Sequence, residues 1–242
     1  MDTLRKFVFV PEEDLRSIIL PEIKFFPAFK GVHIGRIKTH TYVKIFFVMS
    51  KGGKGEEMAG IGSLKAAGVV ALSDDGKCIQ DHALMRHVVE YAKSFNLPIM
   101  DHCEETTLAA GGVMNEGKWS VLLGMNGISK ASEELIIARN IIFAREIGWK
   151  IHMQHVSTRE SVDMLRRARA KGIPVTGEAT PHHLTLTDEC VKKFDTNYKM
   201  NPPLRAEEDR MAVIKGLQDD TLTIIATDHA PHSEEEKSKG LA

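Results

Sequence analysis

The chain has little of what would tie it to an oxidising compartment, a membrane or a nucleic acid. It holds three cysteines in 242 residues. Cys78, Cys103 and Cys190 are unevenly spaced, so no disulfide framework is expected and a reducing, cytoplasmic setting fits best. No apolar run approaches the roughly 18 residues of a spanning helix. Glu12, Glu13 and Asp14 break up the N-terminal stretch, so a secretory leader is not expected either. Neither sign of charge is in excess, with 32 Lys and Arg against 33 Asp and Glu. That balance argues against broad electrostatic binding to nucleic acid or anionic membrane. No GxGxxG turn follows an apolar run, which leaves nucleotide binding without support. What is present, 43% hydrophobic and 27% charged residues, is ordinary for a globular chain of one large α/β domain or two small ones.

From about residue 43 onward, short apolar runs alternate with amphipathic stretches. Residues 43–49, 68–73, 97–100, 151–156, 174–179 and 222–226 read as six strands. Residues 82–95, 131–147, 158–171 and 206–218 read as helices, the third of them stopped by Gly172. Residues 111–127 read as a glycine-rich loop. Repeated βα alternation predicts a parallel sheet flanked by helices. Six strands fall short of the eight of a closed barrel, and an open doubly wound sheet is the alternative. Residues 1–42 have no clear period and are left unassigned, and residues 43–242 are taken as one barrel-type domain.

Polar, titratable residues recur where these strands end. Asp74-Asp75 follows Leu72, His102 follows Met100, His155 follows Met153, and Thr227-Asp228-His229-Ala230-Pro231-His232 follows Ile225. Loops at the carboxyl ends of strands are where α/β proteins place their chemistry. Imidazoles joined by carboxylates suit a divalent transition metal, zinc first. Each residue also has a plain structural reading. A lone strand-end histidine is commonly just hydrogen-bonded, Asp74-Asp75-Gly76 is a sound turn sequence, and His182-His183 could simply begin a helix. Repetition at four strand ends favours the metal site.

Taken in order, Ser73-Asp74-Asp75-Gly76, Asp101-His102-Cys103-Glu104, residues 152–158 (HMQHVST), residues 178–184 (EATPHHL), Asn201-Pro202-Pro203-Leu204-Arg205 and residues 227–232 (TDHAPH) resemble the signature segments of bacterial dihydroorotases, over about residues 43–242. That family belongs to the amidohydrolases, metal-dependent enzymes on a TIM-like (β/α)8 barrel, which interconvert N-carbamoyl-L-aspartate and L-dihydroorotate in pyrimidine synthesis. The resemblance implies zinc as cofactor, with His102 and His155 as ligands of the more buried ion. It also implies Asp75, rather than Asp74, in place of the carboxylated lysine that bridges two metals in related enzymes. Asp228 matches the aspartate that binds metal and shuttles the proton, and Asn201 and His232 match substrate-contacting positions. Homo-oligomers or aspartate transcarbamoylase are the implied partners.

The departures are as definite. The family's first strand ends in His-x-His with an Arg shortly after, and no His-x-His occurs in this chain. Its Asn-containing substrate motif is missing too. Residues 1–42 do not match what the family has there, and Ala242 precedes the family's last strand and substrate loop. A truncated or divergent dihydroorotase is expected, with the activity of the chain alone left open. Two alternatives stand beside it: another cyclic amidohydrolase (dihydropyrimidinase, hydantoinase or allantoinase), and a non-catalytic dihydroorotase-like subunit.

Overall fold

A computed structural model describes residues 46–241. The unassigned segment 1–42 and the start of the first strand lie outside the described residues. Six strands form one parallel sheet: β1 (Phe46–Phe47), β2 (Ala71–Leu72), β3 (Ile99–Asp101), β6 (Ile151–Met153), β7 (Val175–Ala179) and β8 (Ile224–Ile225). They coincide with the six apolar runs of the sequence. Their spatial order, β1-β2-β3-β6-β7-β8, is also their order along the chain. A doubly wound sheet reverses its strand order at a switch point. This sheet never does, so it winds in one sense as a barrel wall does. Among the described residues it stays open, with β1 and β8 as its edges.

Helices His82–Ser94, Lys130–Ile147, Arg159–Ala170 and Glu207–Gln218 cover the sheet. Their starts follow local chemistry. Asp81 accepts a hydrogen bond from the Leu84 amide and Thr158 accepts one from the Ser161 amide, each satisfying a donor that the first helical turn leaves open. Gly148 ends the long helix at φ +66°, and Gly172 lies at φ +72° just beyond Arg159–Ala170. The core lies between sheet and helices, with Leu72, Ile99, Ile151 and Val175 from the strands against Val88, Ile136, Val162 and Leu217. Strand side chains alternate between faces. Asp101 thus turns to the helix layer, where Asn140 and Arg139 donate to it at 2.7 and 3.0 Å. His102, His152, Thr176 and Glu178 fall on the opposite face.

The segment 111–127, read as a glycine-rich loop, is instead the larger part of an ordered excursion over residues 104–128. That excursion contains a helix at Thr106–Ala109, strand β4 (Met114–Asn115), a helix at Lys118–Leu123 and strand β5 (Gly127–Ile128), with β4 and β5 paired in parallel. Met114, Val191 and Leu241 give it a small core of its own, with Trp119 and Tyr198 packed against it. Two-residue strands and a six-residue helix are too short to show a hydrophobic period. Gly127 serves packing, because a Cβ there would sit 2.4 Å from Glu116 Cα.

Arg205 ties this excursion to the sheet. Its buried guanidinium donates to Ser157 Oγ at 3.1 Å, to Asn115 Oδ1 at 3.0 Å and to the Ile128 carbonyl at 3.1 Å, and lies 3.9 Å from Glu133. Glu133 in turn accepts from the amides of Ser157 and Thr158. Removing one member of a buried ion pair strands the other and costs about 3–5 kcal/mol. Arg205→Ala is therefore expected to lower the melting temperature by roughly 10 °C, given about 2–4 °C per kcal/mol for a domain of this size. A calorimetric shift below about 2 °C would show that the network adds nothing to stability.

Candidate active site

The trio Asp75, His102 and His155 comes together at the carboxyl edge of the sheet. Each side chain reaches the site from the loop after its strand: Asp75 from β2, His102 from β3 and His155 from β6. The nearest atoms are His102 Nδ1 and His155 Nε2, 2.9 Å apart, with Asp75 Oδ1 3.8 Å from the first and 3.7 Å from the second. The point equidistant from the corners of that triangle lies about 2.0 Å from each, the zinc–nitrogen and zinc–oxygen bond length. Both imidazoles are buried and the carboxylate is nearly so. These donors fit a divalent ion in number, kind and spacing.

Electrostatics point the same way. Burial lowers the pKa of His155, but Asp75, by hydrogen bond and by charge, outweighs that with help from Asp228 and Glu178 and raises it to about 9. Charges that hold a proton between two imidazoles would equally hold a cation. His182 faces the opposite balance: burial and the charge of His155 push it down to about 4, so it is neutral at physiological pH.

The structure separates the two adjacent aspartates. Asp74 turns away and accepts from the Met49 amide at 2.5 Å, from the Ser50 amide at 3.2 Å and from Ser50 Oγ at 2.5 Å, fastening the loop after β1. Asp75 turns to the histidines. Asp228 follows β8 at φ +47°, and its charge reaches His155. His155 itself sits at φ +35°. Non-glycine residues in that region cost on the order of 1–3 kcal/mol and cluster at functional sites. Two of the four residues implied as metal ligands carry this strain.

Asn201 sits at the mouth of the site. Its amide donates to Glu104 Oε2 at 2.6 Å, and its Nδ2 is 3.5 Å from His102 Nε2. His183 holds that segment in place. Its Nε2 lies 3.2 Å from the carbonyls of both Pro202 and Pro203, and Thr180 Oγ1 meets its Nδ1 at 2.7 Å. The bland reading of His182-His183 describes what is seen, since both lie in the short helix Pro181–Thr185 capped by Thr180. His232 is not drawn in. It is 62% exposed and turns to Glu236 at 3.5 Å.

Sequence reasoning passed over two carboxylates. Glu104 lies 3.7 Å from the second nitrogen of His102, and contact with His102 and Asn201 holds its pKa low against the opposing effect of burial. Glu178 accepts from the His155 amide at 3.3 Å. Both stood inside the quoted motifs. The available signal was position, since Glu104 follows His102 in the same turn and Glu178 lies on the inner face of β7.

A parallel sheet wound in chain order, with imidazoles and carboxylates gathered at its carboxyl edge, defines the class as a barrel-type α/β scaffold with a candidate metal centre. Solved structures superpose on this fold. They include an L-hydantoinase (dihydropyrimidinase) from Arthrobacter aurescens, TM-score 0.66 over 81% of this chain and 45% of that one, and a D-hydantoinase, TM-score 0.64 over 78% and 44%. Identity is 19% in both cases, so these similarities speak for the fold alone. A family model described as Dihydro-orotase-like matches residues 32–161. Proteins named dihydroorotase are 49% identical over 85% of this chain in Acetivibrio thermocellus and 51% identical over 78% in Caldanaerobacter subterraneus subsp. tengcongensis. The chain belongs to the dihydroorotase-like family. It spans about half the length of these relatives, 49% and 44% respectively.

Proposed function

We propose that this chain is the metal-binding half of a dihydroorotase catalytic domain, acting in the interconversion of N-carbamoyl-L-aspartate and L-dihydroorotate. The observation that carries the reading is the triangle of Asp75, His102 and His155, in a chain about half identical to proteins of that name. His102, His155, Asp75 and Asp228 would hold the ion, with zinc preferred because two nitrogens and carboxylate oxygen suit it. When bound, the ion lowers the pKa of water towards 7 and polarises a substrate carbonyl. The chain's own groups do the rest. In the hydrolytic direction Asp228 takes the proton of the attacking water and delivers it to the ring nitrogen that leaves; in synthesis it returns it. Asn201, held by Glu104, offers amide hydrogens to the substrate at the mouth of the site. His232 completes the substrate contacts only if its loop turns inward from Glu236.

The chain contains no His-x-His, so a second ion would need ligands from elsewhere. Activity is therefore tested in a fusion carrying a relative's His-x-His-x-x-Arg segment and its C-terminal portion. That fusion is expected to hydrolyse L-dihydroorotate and to reject hydantoin and dihydrouracil, which lack the carboxylate that the added Arg and Asn201 would bind. Turnover of hydantoin but not dihydroorotate would point to another cyclic amidohydrolase. No turnover of any cyclic amide at full zinc occupancy would point to a non-catalytic subunit. Among the described residues no helix is long and apolar enough to cross a membrane. A cytoplasmic setting, and a homo-oligomer or aspartate transcarbamoylase as partner, belong to the same proposal.

A further inference from the structure

His155 has a backbone that the chain would not adopt unaided, at φ +35°, and its ring is aimed at the other two members of the trio. One residue grips the peptide on both sides of that strain. Glu178, on the neighbouring strand, accepts the His155 amide on Oε1 at 3.3 Å, and its own carbonyl accepts the Val156 amide at 2.9 Å. The second carboxylate oxygen is engaged by His152 Nε2 at 3.0 Å, while His152 Nδ1 meets Thr176 Oγ1 at 2.7 Å. His152 and Thr176 are register partners across β6 and β7, so the two strands themselves set this chain of contacts. Both His152 and Glu178 are buried. A buried carboxylate with an imidazole on one oxygen and an amide on the other cannot swing without leaving polar groups unsatisfied.

We propose that Glu178, locked by His152 and Thr176, is a positioning residue that holds His155 in its left-handed conformation and so presets the spacing of the trio for an ion. This rests on the reading of Asp75, His102 and His155 as a metal centre. Partners of this kind, one shell out from the ligands, are worth about 10–100-fold in metal affinity.

The test uses the 242-residue chain stripped of metal, with Glu178→Ala, Glu178→Gln and the pair His102→Ala with His155→Asn. Zinc affinity is measured by competition with a chromophoric chelator, and hydrogen exchange of the His155 amide is followed by NMR in the metal-free protein. Expected results are a 10–100-fold weaker zinc affinity in Glu178→Ala at unchanged stoichiometry, and recovery to within about threefold in Glu178→Gln, which keeps an oxygen for the His155 amide. The His155 amide should exchange fast in Glu178→Ala and slowly in the parent and in Glu178→Gln. Unchanged affinity in Glu178→Ala, or equal exchange in all forms, overturns the proposal. Loss of a whole zinc equivalent in both Glu178 variants also overturns it, because Glu178 is then itself a ligand. Zinc binding that ignores the His102 and His155 substitutions refutes the metal reading instead. The exchange result then decides by itself whether Glu178 holds the His155 backbone.

Discussion

Asp228→Asn, placed in the fusion that supplies the His-x-His-x-x-Arg segment, is expected to lower kcat for L-dihydroorotate by about 10⁴-fold. Positioned acid–base groups contribute roughly 10²–10⁴-fold, and here the same carboxylate is also an implied metal ligand, so the upper end applies. Asparagine isolates the chemistry from the fold. It matches aspartate in size, and like aspartate it tolerates the left-handed region that Asp228 occupies at φ +47°. Melting temperature should therefore stay near that of the parent, while the amide can neither take up a proton from water nor give one to a leaving nitrogen. Steady-state kinetics at saturating substrate would check this. A variant within tenfold of the parent would move the proton transfer to another residue, with Glu104 the first to examine because it lies against His102 and is held ionised.

His102→Ala combined with His155→Asn should abolish stoichiometric zinc binding by the chain itself. The two imidazoles supply two of the three corners of the triangle, and the carboxylates that remain, Asp75 and the implied ligand Asp228, are too few to retain an ion through dialysis. Asparagine is chosen at position 155 because alanine would add backbone strain at φ +35° to the loss of a ligand. Elemental analysis after dialysis reads the result directly, and zinc content equal to the parent's would refute the assignment. The parent should also show a pH dependence with a definite sign. Zinc must displace the proton on His155, whose pKa is raised to about 9, so affinity climbs as pH rises and levels off near that value. In the metal-free chain that same proton stabilises the fold. A folded pKa above the usual 6.5 gives a contribution fully present below 6.5 and lost as pH rises through about 9. Metal affinity and metal-free stability should therefore change in opposite directions between those values.

Much of this was legible in the residues. Six short apolar runs, each followed by polar residues, determined the six strands of the main sheet and the end of it at which the candidate site lies, because apolar periodicity and turn chemistry are local properties. His102 of DHCE and His155 of HMQHVST, which meet in the trio, could be picked out for the same reason, as could Asp228 of TDHAPH, which lies outside that trio. The excursion at residues 104–128 could not be read, since its elements are shorter than any period and are held by Arg205 and a core drawn from Val191, Tyr198 and Leu241. Nor could the choice between Asp74 and Asp75. Adjacent residues of the same type differ only in direction, and Ser50, remote in sequence, captures the first and leaves the second to the histidines. His232 was named from a motif, yet its direction depends on Glu236 and on whatever packs over that loop. Sequence by itself determined which kinds of group stand at which strand ends, because that is written in short-range order. Tertiary structure alone decided which of them meet within bonding distance of one ion, and that Glu178 holds the strained backbone of His155. Those facts depend on strand register and on contacts between residues far apart in the chain.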